Sequence, residues 1–145
     1  MKKFYYLFFS LQLITFLLKA QEKVNIDYQY TRNNNEYHAY AVYLKSDDQN
    51  KTLEFEVTST YLMDKLTGVS IKKGKMDIKI PFTKLDTVIK TDEKTINNLV
   101  IVASIKNLLK MKIECGTVII FTLSDETKIE LPFNFCLVKN KIENN

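Results

Sequence analysis

Glycine occurs three times, proline twice and histidine once in 145 residues, and each scarcity removes a class of chemistry. A phosphate-binding loop needs several close glycines, so that backbone N–H groups can converge on an anion. Gly68, Gly74 and Gly116 stand alone and form no such loop. With His38 the only histidine and Cys115 and Cys136 the only cysteines, a zinc site of Cys and His ligands falls short of four. Nucleophilic catalysis through a Ser/His or Cys/His pair would have to use His38, and no nucleophile-elbow pattern occurs. No Pro/Gly-rich linker and no internal repeat divides the chain. No metal or cofactor is expected.

Net charge is equally uninformative about partners. Three of the 21 basic residues (Lys2, Lys3, Lys19) and none of the 17 acids fall in the first twenty positions, so the remainder carries 18 against 17. These charges are interspersed, whereas nucleic acid binding needs clustered positive charge, so no nucleic acid partner is expected.

The one long apolar run is Phe4 to Leu18, broken by Ser10, Gln12 and Thr15. Lys2-Lys3 precede it, and Lys19-Ala20 lead into the polar Gln21-Glu22-Lys23. That order is the layout of a secretory signal peptide, with cleavage expected after Ala20. The run is shorter than the roughly 20 residues a membrane-spanning helix needs, and no second run reaches that length, so no transmembrane segment is expected in the mature chain. The expected organisation is a signal over 1–20, a single β-rich domain over 21–139 and a polar tail over 140–145.

Alternation with period two dominates the rest, which is the strand signature. Val24, Ile26, Tyr28 and Tyr30 alternate with Asn25, Asp27 and Gln29. The polar Arg32-Asn33-Asn34-Asn35 reads as a turn. Further strands are expected over 36–45 and 51–60. A small hairpin, 69–72 and 76–80, follows around Lys73-Gly74, ended by Pro81. The last strands are expected over 111–115, 118–123 and 128–137. Residues 91–110 are the main fork. Asp92 and Glu93 early with Lys106 and Lys110 late suit a helix dipole, but the β-branched Leu99-Val100-Ile101-Val102-Ala103-Ser104-Ile105 favours a buried strand. The expected fold is all-β, an antiparallel sandwich or barrel of seven or eight short strands. The alternative is α+β with one helix near 92–109.

Candidate site residues are few. Tyr28, Tyr30, Tyr37, Tyr40 and Tyr43 crowd one hairpin. A tight turn at Asn33-Asn34 sets Tyr30 opposite Tyr37, Tyr28 opposite Ala39, Ile26 opposite Ala41 and Val24 opposite Tyr43. Cross-strand aromatic pairs stabilise a sheet by roughly 0.2–1 kcal/mol each. The favoured reading is a core-facing ladder; the functional reading is an exposed surface for a sugar, peptide or protein. His38 is expected on the Tyr40/Val42 face in a structural role. Glu54 and Glu56 share a face opposite Leu53, Phe55 and Val57, so a polar outer face is favoured over a glycosidase-like acid/base pair. Asp47-Asp48-Gln49-Asn50 lacks the Gly and distal Glu of a calcium loop. Asn50-Lys51-Thr52 and Asp86-Thr87-Val88 are short modification triplets of little specificity.

Cys115 and Cys136 are expected to form a disulfide. A hairpin turning through Ser124-Asp125-Glu126-Thr127 pairs Leu123 with Lys128, Ile120 with Leu131, Val118 with Phe133 and Cys115 with Cys136. That last pair falls at a non-hydrogen-bonded position, where Cα atoms lie about 4.5 Å apart, within a disulfide's reach. The same register places Pro132 on an edge strand. A bulge at Gly116 would shift it by one.

The Lys-Lys start, the Lys/Asn/Ile-rich composition and the small β-rich body resemble small exported proteins of Gram-negative bacteria. The resemblance is compositional; it implies a periplasmic or extracellular location and assigns no residue a role. The expected function is binding without catalysis, with a protein, peptide or glycan as partner, one subclass being an inhibitor or immunity protein. A small carboxylate-based glycan hydrolase and a structural subunit of an envelope assembly are the rivals.

Overall fold

The structure, a computed structural model, describes residues 22–46, 51–85, 89–91, 96–104, 108–110 and 112–144. The signal layout, the Asp47–Asn50 loop and the Asp86-Thr87-Val88 triplet lie outside the described residues. Strands in chain order are β1 (Glu22–Asn33), β2 (Glu36–Ser46), β3 (Lys51–Ser59), β4 (Leu66–Lys73), β5 (Met76–Lys79), β6 (Phe82–Lys84), β7 (Ile89–Thr91), β8 (Ile96–Ser104), β9 (Gly116–Leu123) and β10 (Lys128–Asn134). Among the described residues, short 3-10 turns occupy Met63–Lys65 and Leu108–Lys110, and one α-helix, α1 (Phe135–Asn144), follows β10.

Every strand pairing is antiparallel. One sheet runs β1-β2-β3-β8-β6, with β7 also on β8; the other runs β10-β9-β4-β5. Alternating side chains from both sheets meet between them, the arrangement of a β-sandwich. Leu53, Phe55 and Val57 of β3 face Phe121 and Phe133 of the small sheet across a core that also holds Leu99, Ile101 and Ile119. Within the 91–110 fork the described residues 96–104 form strand β8, whose Leu99, Ile101 and Ala103 face the core and are buried.

The C-terminal end departs from the expected strand and tail. Residues 112–115 are not strand, and β10 stops at Asn134. There the Asn134 side-chain oxygen accepts the Leu137 N–H at 3.0 Å, an N-cap that starts α1. Phe135, Val138 and Ile142 then fall on one helical face and are buried. Lys51 closes the far end by donating to the Ile142 carbonyl at 2.7 Å.

Cys115 and Cys136 are disulfide-bonded, with Cα atoms 4.7 Å apart, but not in the expected register. The β9–β10 loop has three residues, Ser124 to Glu126, with Glu126 at φ 67° and Leu123 N–H bonded to the Thr127 carbonyl at 2.9 Å. The ladder is therefore offset by one: Ile120 lies opposite Glu130, Val118 opposite Pro132 and Gly116 opposite Asn134. Cys115 would meet Phe135, whose N–H it does accept at 2.8 Å. The turn into α1 brings Cys136 into reach instead. Pro132 does lie on an edge strand. Closing a loop of sequence separation 21 should stabilise the fold by about 3 kcal/mol in the chain-entropy model. Thiol titration of the denatured, unreduced protein should find no free thiol, and a Cys115→Ser/Cys136→Ser variant should unfold at correspondingly lower denaturant.

Candidate functional site

The β1–β2 hairpin decides which tyrosines reach solvent. Its turn is Asn34-Asn35, with Asn34 at φ 46°, a conformation asparagine tolerates better than most residues. Tyr30 consequently lies opposite Ala39, Tyr28 opposite Ala41 and Arg32 opposite Tyr37, which corrects the expected Tyr30–Tyr37 pairing. A bulge between Asn25 and Asp27 adds the second change. Before it, Val24 packs against the core; at it, Ile26 is buried; beyond it, Tyr28 and Tyr30 are turned to the outer face of the sheet.

Tyr28 and Tyr30 are 52% and 63% exposed, so the core-facing ladder does not form. Their rings lie 6.2 Å apart at 31°, and the Tyr28 hydroxyl hydrogen-bonds that of half-buried Tyr37 at 2.6 Å. That bond, with burial second, pushes Tyr37 up to about 12. Tyr43 shares this outer face. Tyr40 does not: it is fully buried on the opposite face, so it leaves the set of candidate binding residues.

Below the tyrosines the same face carries a charged cluster that sequence reasoning missed. Lys23 Nζ lies 2.7 Å from Glu54 and 2.5 Å from Glu56, and 3.9 Å from the Tyr43 ring centroid. Lys45 pairs with the other Glu54 oxygen, and the Tyr43 hydroxyl donates to Glu56 at 3.2 Å. Burial works against the charged form of both Lys23 and Glu54, but their mutual contacts win, raising Lys23 and lowering Glu54. Glu54 and Glu56 do share the face opposite Leu53, Phe55 and Val57, as the alternation implied. Glu54 is only 3% exposed and both carboxylates are held by lysine. An acid/base pair needs both carboxyls reachable by substrate; Glu54, buried and paired with Lys23 and Lys45, is not reachable. Lys45 and Tyr43 share a parity on β2, but the expected ladder turns that parity to the core, and the shifted register sets Lys23, not Val24, beside them on the outer face.

His38 sits with Tyr40 and Val42 on the inner side, 7% exposed. Its Nδ1 is 2.9 Å from the Ser59 hydroxyl and its ring 4.7 Å from that of Tyr61. Burial lowers its pKa against a weaker opposing pull from Glu36. Ser59 is fully buried, so this Ser–His contact offers no route to a substrate. Among the described residues no cluster of three His, Cys, Asp or Glu side chains could hold a metal, and no helix is long and apolar enough to cross a membrane.

Exposed rings contribute little to folding. Tyr28→Ser and Tyr30→Ser should each change stability by under about 1 kcal/mol in thermal or urea melts. A larger loss at Tyr30 would show that its ring is packed after all. No protein-family model, curated protein or solved structure matches this chain.

Proposed function

We propose that this protein is a small exported β-sandwich that binds a protein, peptide or glycan through the tyrosine-bearing outer face of its larger sheet, and performs no chemistry there. The observation that carries the reading is the bulge at Ile26: without it the alternation that buries Val24 and Ile26 would bury Tyr28 and Tyr30 as well. The sheet gives up two large aromatic side chains to solvent, side by side, where Tyr combines apolar area with a hydrogen-bonding tip. The lysines and glutamates beside them pair off among themselves, so the face presents no strong charge of one sign. A signal-like start and a disulfide both suit the periplasm or the cell exterior of a Gram-negative bacterium.

Site-specific photo-crosslinking in the producing cells tests the reading. A crosslinking residue at position 30 should yield a defined adduct. One at position 76, equally exposed at 63% but on β5 of the other sheet, should not. No adduct at 30, or the same adducts at both positions, refutes the tyrosine face as the binding surface.

A further inference from the structure

β1 is the open edge of the larger sheet: among the described residues no strand pairs it on the side away from β2. Its first half is guarded. The bulge disrupts the edge at Ile26, α1 packs against the strand, and the Asp27 carboxylate takes the Tyr28 N–H at 2.9 Å. Its second half is not. Tyr30, Thr31, Arg32 and Asn33 are all exposed.

The turn fixes which backbone groups face outward. Asn33 and Glu36 close a two-residue loop, and such a closing pair is hydrogen-bonded. Stepping back by two, Thr31, Gln29 and Asp27 direct their backbone groups to β2, while Arg32, Tyr30 and Tyr28 direct theirs to the open edge. The Asp27 contact to the Tyr28 N–H agrees with this assignment.

We propose that this edge pairs antiparallel with the same edge of a second copy, about a two-fold axis at Thr31, so that Tyr30 faces Arg32 of the partner subunit and Arg32 faces the partner subunit's Tyr30. Like-faced registers differ by two residues, so few alternatives exist. An axis at Tyr30 would need the Tyr28 N–H that Asp27 already holds. An axis at Gln29 would draw Tyr28 and the bulge into the ladder. An axis at Arg32 would set two guanidinium groups opposite each other. Only the axis at Thr31 uses free edge groups alone, and it lays each guanidinium beside an exposed ring, where a cation is attracted. The same symmetry makes the contact isologous, so it closes at a dimer and cannot propagate. Two tyrosine faces then form one continuous surface. This pairing goes beyond the binding reading, because it uses the backbone edge and holds whatever the ring faces take.

The test needs only the protein recovered after expression of the full chain. Sedimentation from about 10 μM to about 1 mM covers the range expected of so small an interface. The protein should pass from monomer to dimer. Tyr30→Lys should raise the dissociation constant by about tenfold or more, because lysine then faces arginine twice across the axis. Adding Arg32→Glu should restore association, since lysine and glutamate then face each other twice. Both sites are exposed, so the variants should melt as the parent does. A protein monomeric up to 1 mM overturns the proposal, as does a dimer indifferent to Tyr30→Lys, or a charge-swapped double variant that stays apart.

Discussion

Replacing Tyr40 by alanine should cost about 3–5 kcal/mol, the range for truncating a buried aromatic. Tyr40 is the hub of the ring cluster: Phe55 lies 5.7 Å from it, Phe121 6.3 Å and Phe133 6.4 Å, so it joins β2 and β3 to both strands of the C-terminal hairpin. Its hydroxyl also crosses the sandwich to the Pro132 carbonyl at 2.7 Å. Domains of this size have about 5–15 kcal/mol to lose, so the alanine variant should be close to unfolding. Tyr40→Phe separates the two contributions. It keeps the ring and strands the Pro132 carbonyl, which should cost about 1–3 kcal/mol. Burial also holds the Tyr40 phenol above its usual 10.0, so its neutral form is favoured in the fold and stability should fall as pH rises past 10. Urea unfolding of parent, Phe and Ala variants at neutral pH checks the order. An Ala variant no worse than Phe would mean the ring is not packed as described.

That Tyr40 is core while Tyr28 and Tyr30 are not could not be decided from the alternation. Tyr suits either side of a sheet, so a run of tyrosines carries no sign. Within β2 the core-facing ladder has the parity reversed: His38, Tyr40, Val42 and Leu44 are buried, and Tyr43 lies on the outer face. Within β1 the alternation misleads, because Val-Asn-Ile-Asp-Tyr alternates without interruption and nothing in it marks a bulge. What the bulge leaves on the inner side is Asp27 and Gln29, and they satisfy each other at 3.1 and 3.2 Å near the sheet edge. The turn failed for a related reason. Asn33, Asn34 and Asn35 can each take the left-handed conformation, and only tertiary pairing picks Asn34.

The all-β sandwich was legible because its period-two signal is summed over many strands, and over the described 96–104 the apolar run rich in Val and Ile is a strand in spite of the flanking charges that suit a helix. The short α1 does carry a signal in the sequence. Asn134 is a good N-cap, and Phe135, Val138 and Ile142 recur at helical spacing. The apolar 128–137 run read as one strand only because the cap sits inside it. The Cys115–Cys136 disulfide forms beside a ladder one residue away from the expected register; the three-residue loop with Glu126 left-handed is the piece that alternation cannot supply.

Glu54→Ala should destabilise by about 2–4 kcal/mol, somewhat below the loss for breaking a fully buried ion pair because its lysines keep part of their hydration. The reason lies in the ladder. Lys23 and Lys45 are direct cross-strand neighbours on β1 and β2, a like-charge pair that opposes the pairing of the edge strand. Glu54, one strand further in and almost wholly buried, bridges both. Removing it leaves Lys45 without its carboxylate and Lys23 with Glu56 alone, the two ammonium groups facing each other beside the Tyr43 ring. The lowered Glu54 pKa sets the pH dependence. A carboxylate held below its usual 4.5 binds fewer protons folded than unfolded, so its contribution is complete above pH 4.5 and drains away as the medium is acidified further. The parent and Glu54→Gln should therefore differ most at pH 7 and converge towards pH 3. Urea unfolding at both pH values measures this directly. A gap of the same size at pH 3 would mean that Glu54 acts through its packing and not its charge. A double-mutant cycle with Lys23→Met should then show no coupling, where the ion cluster requires it.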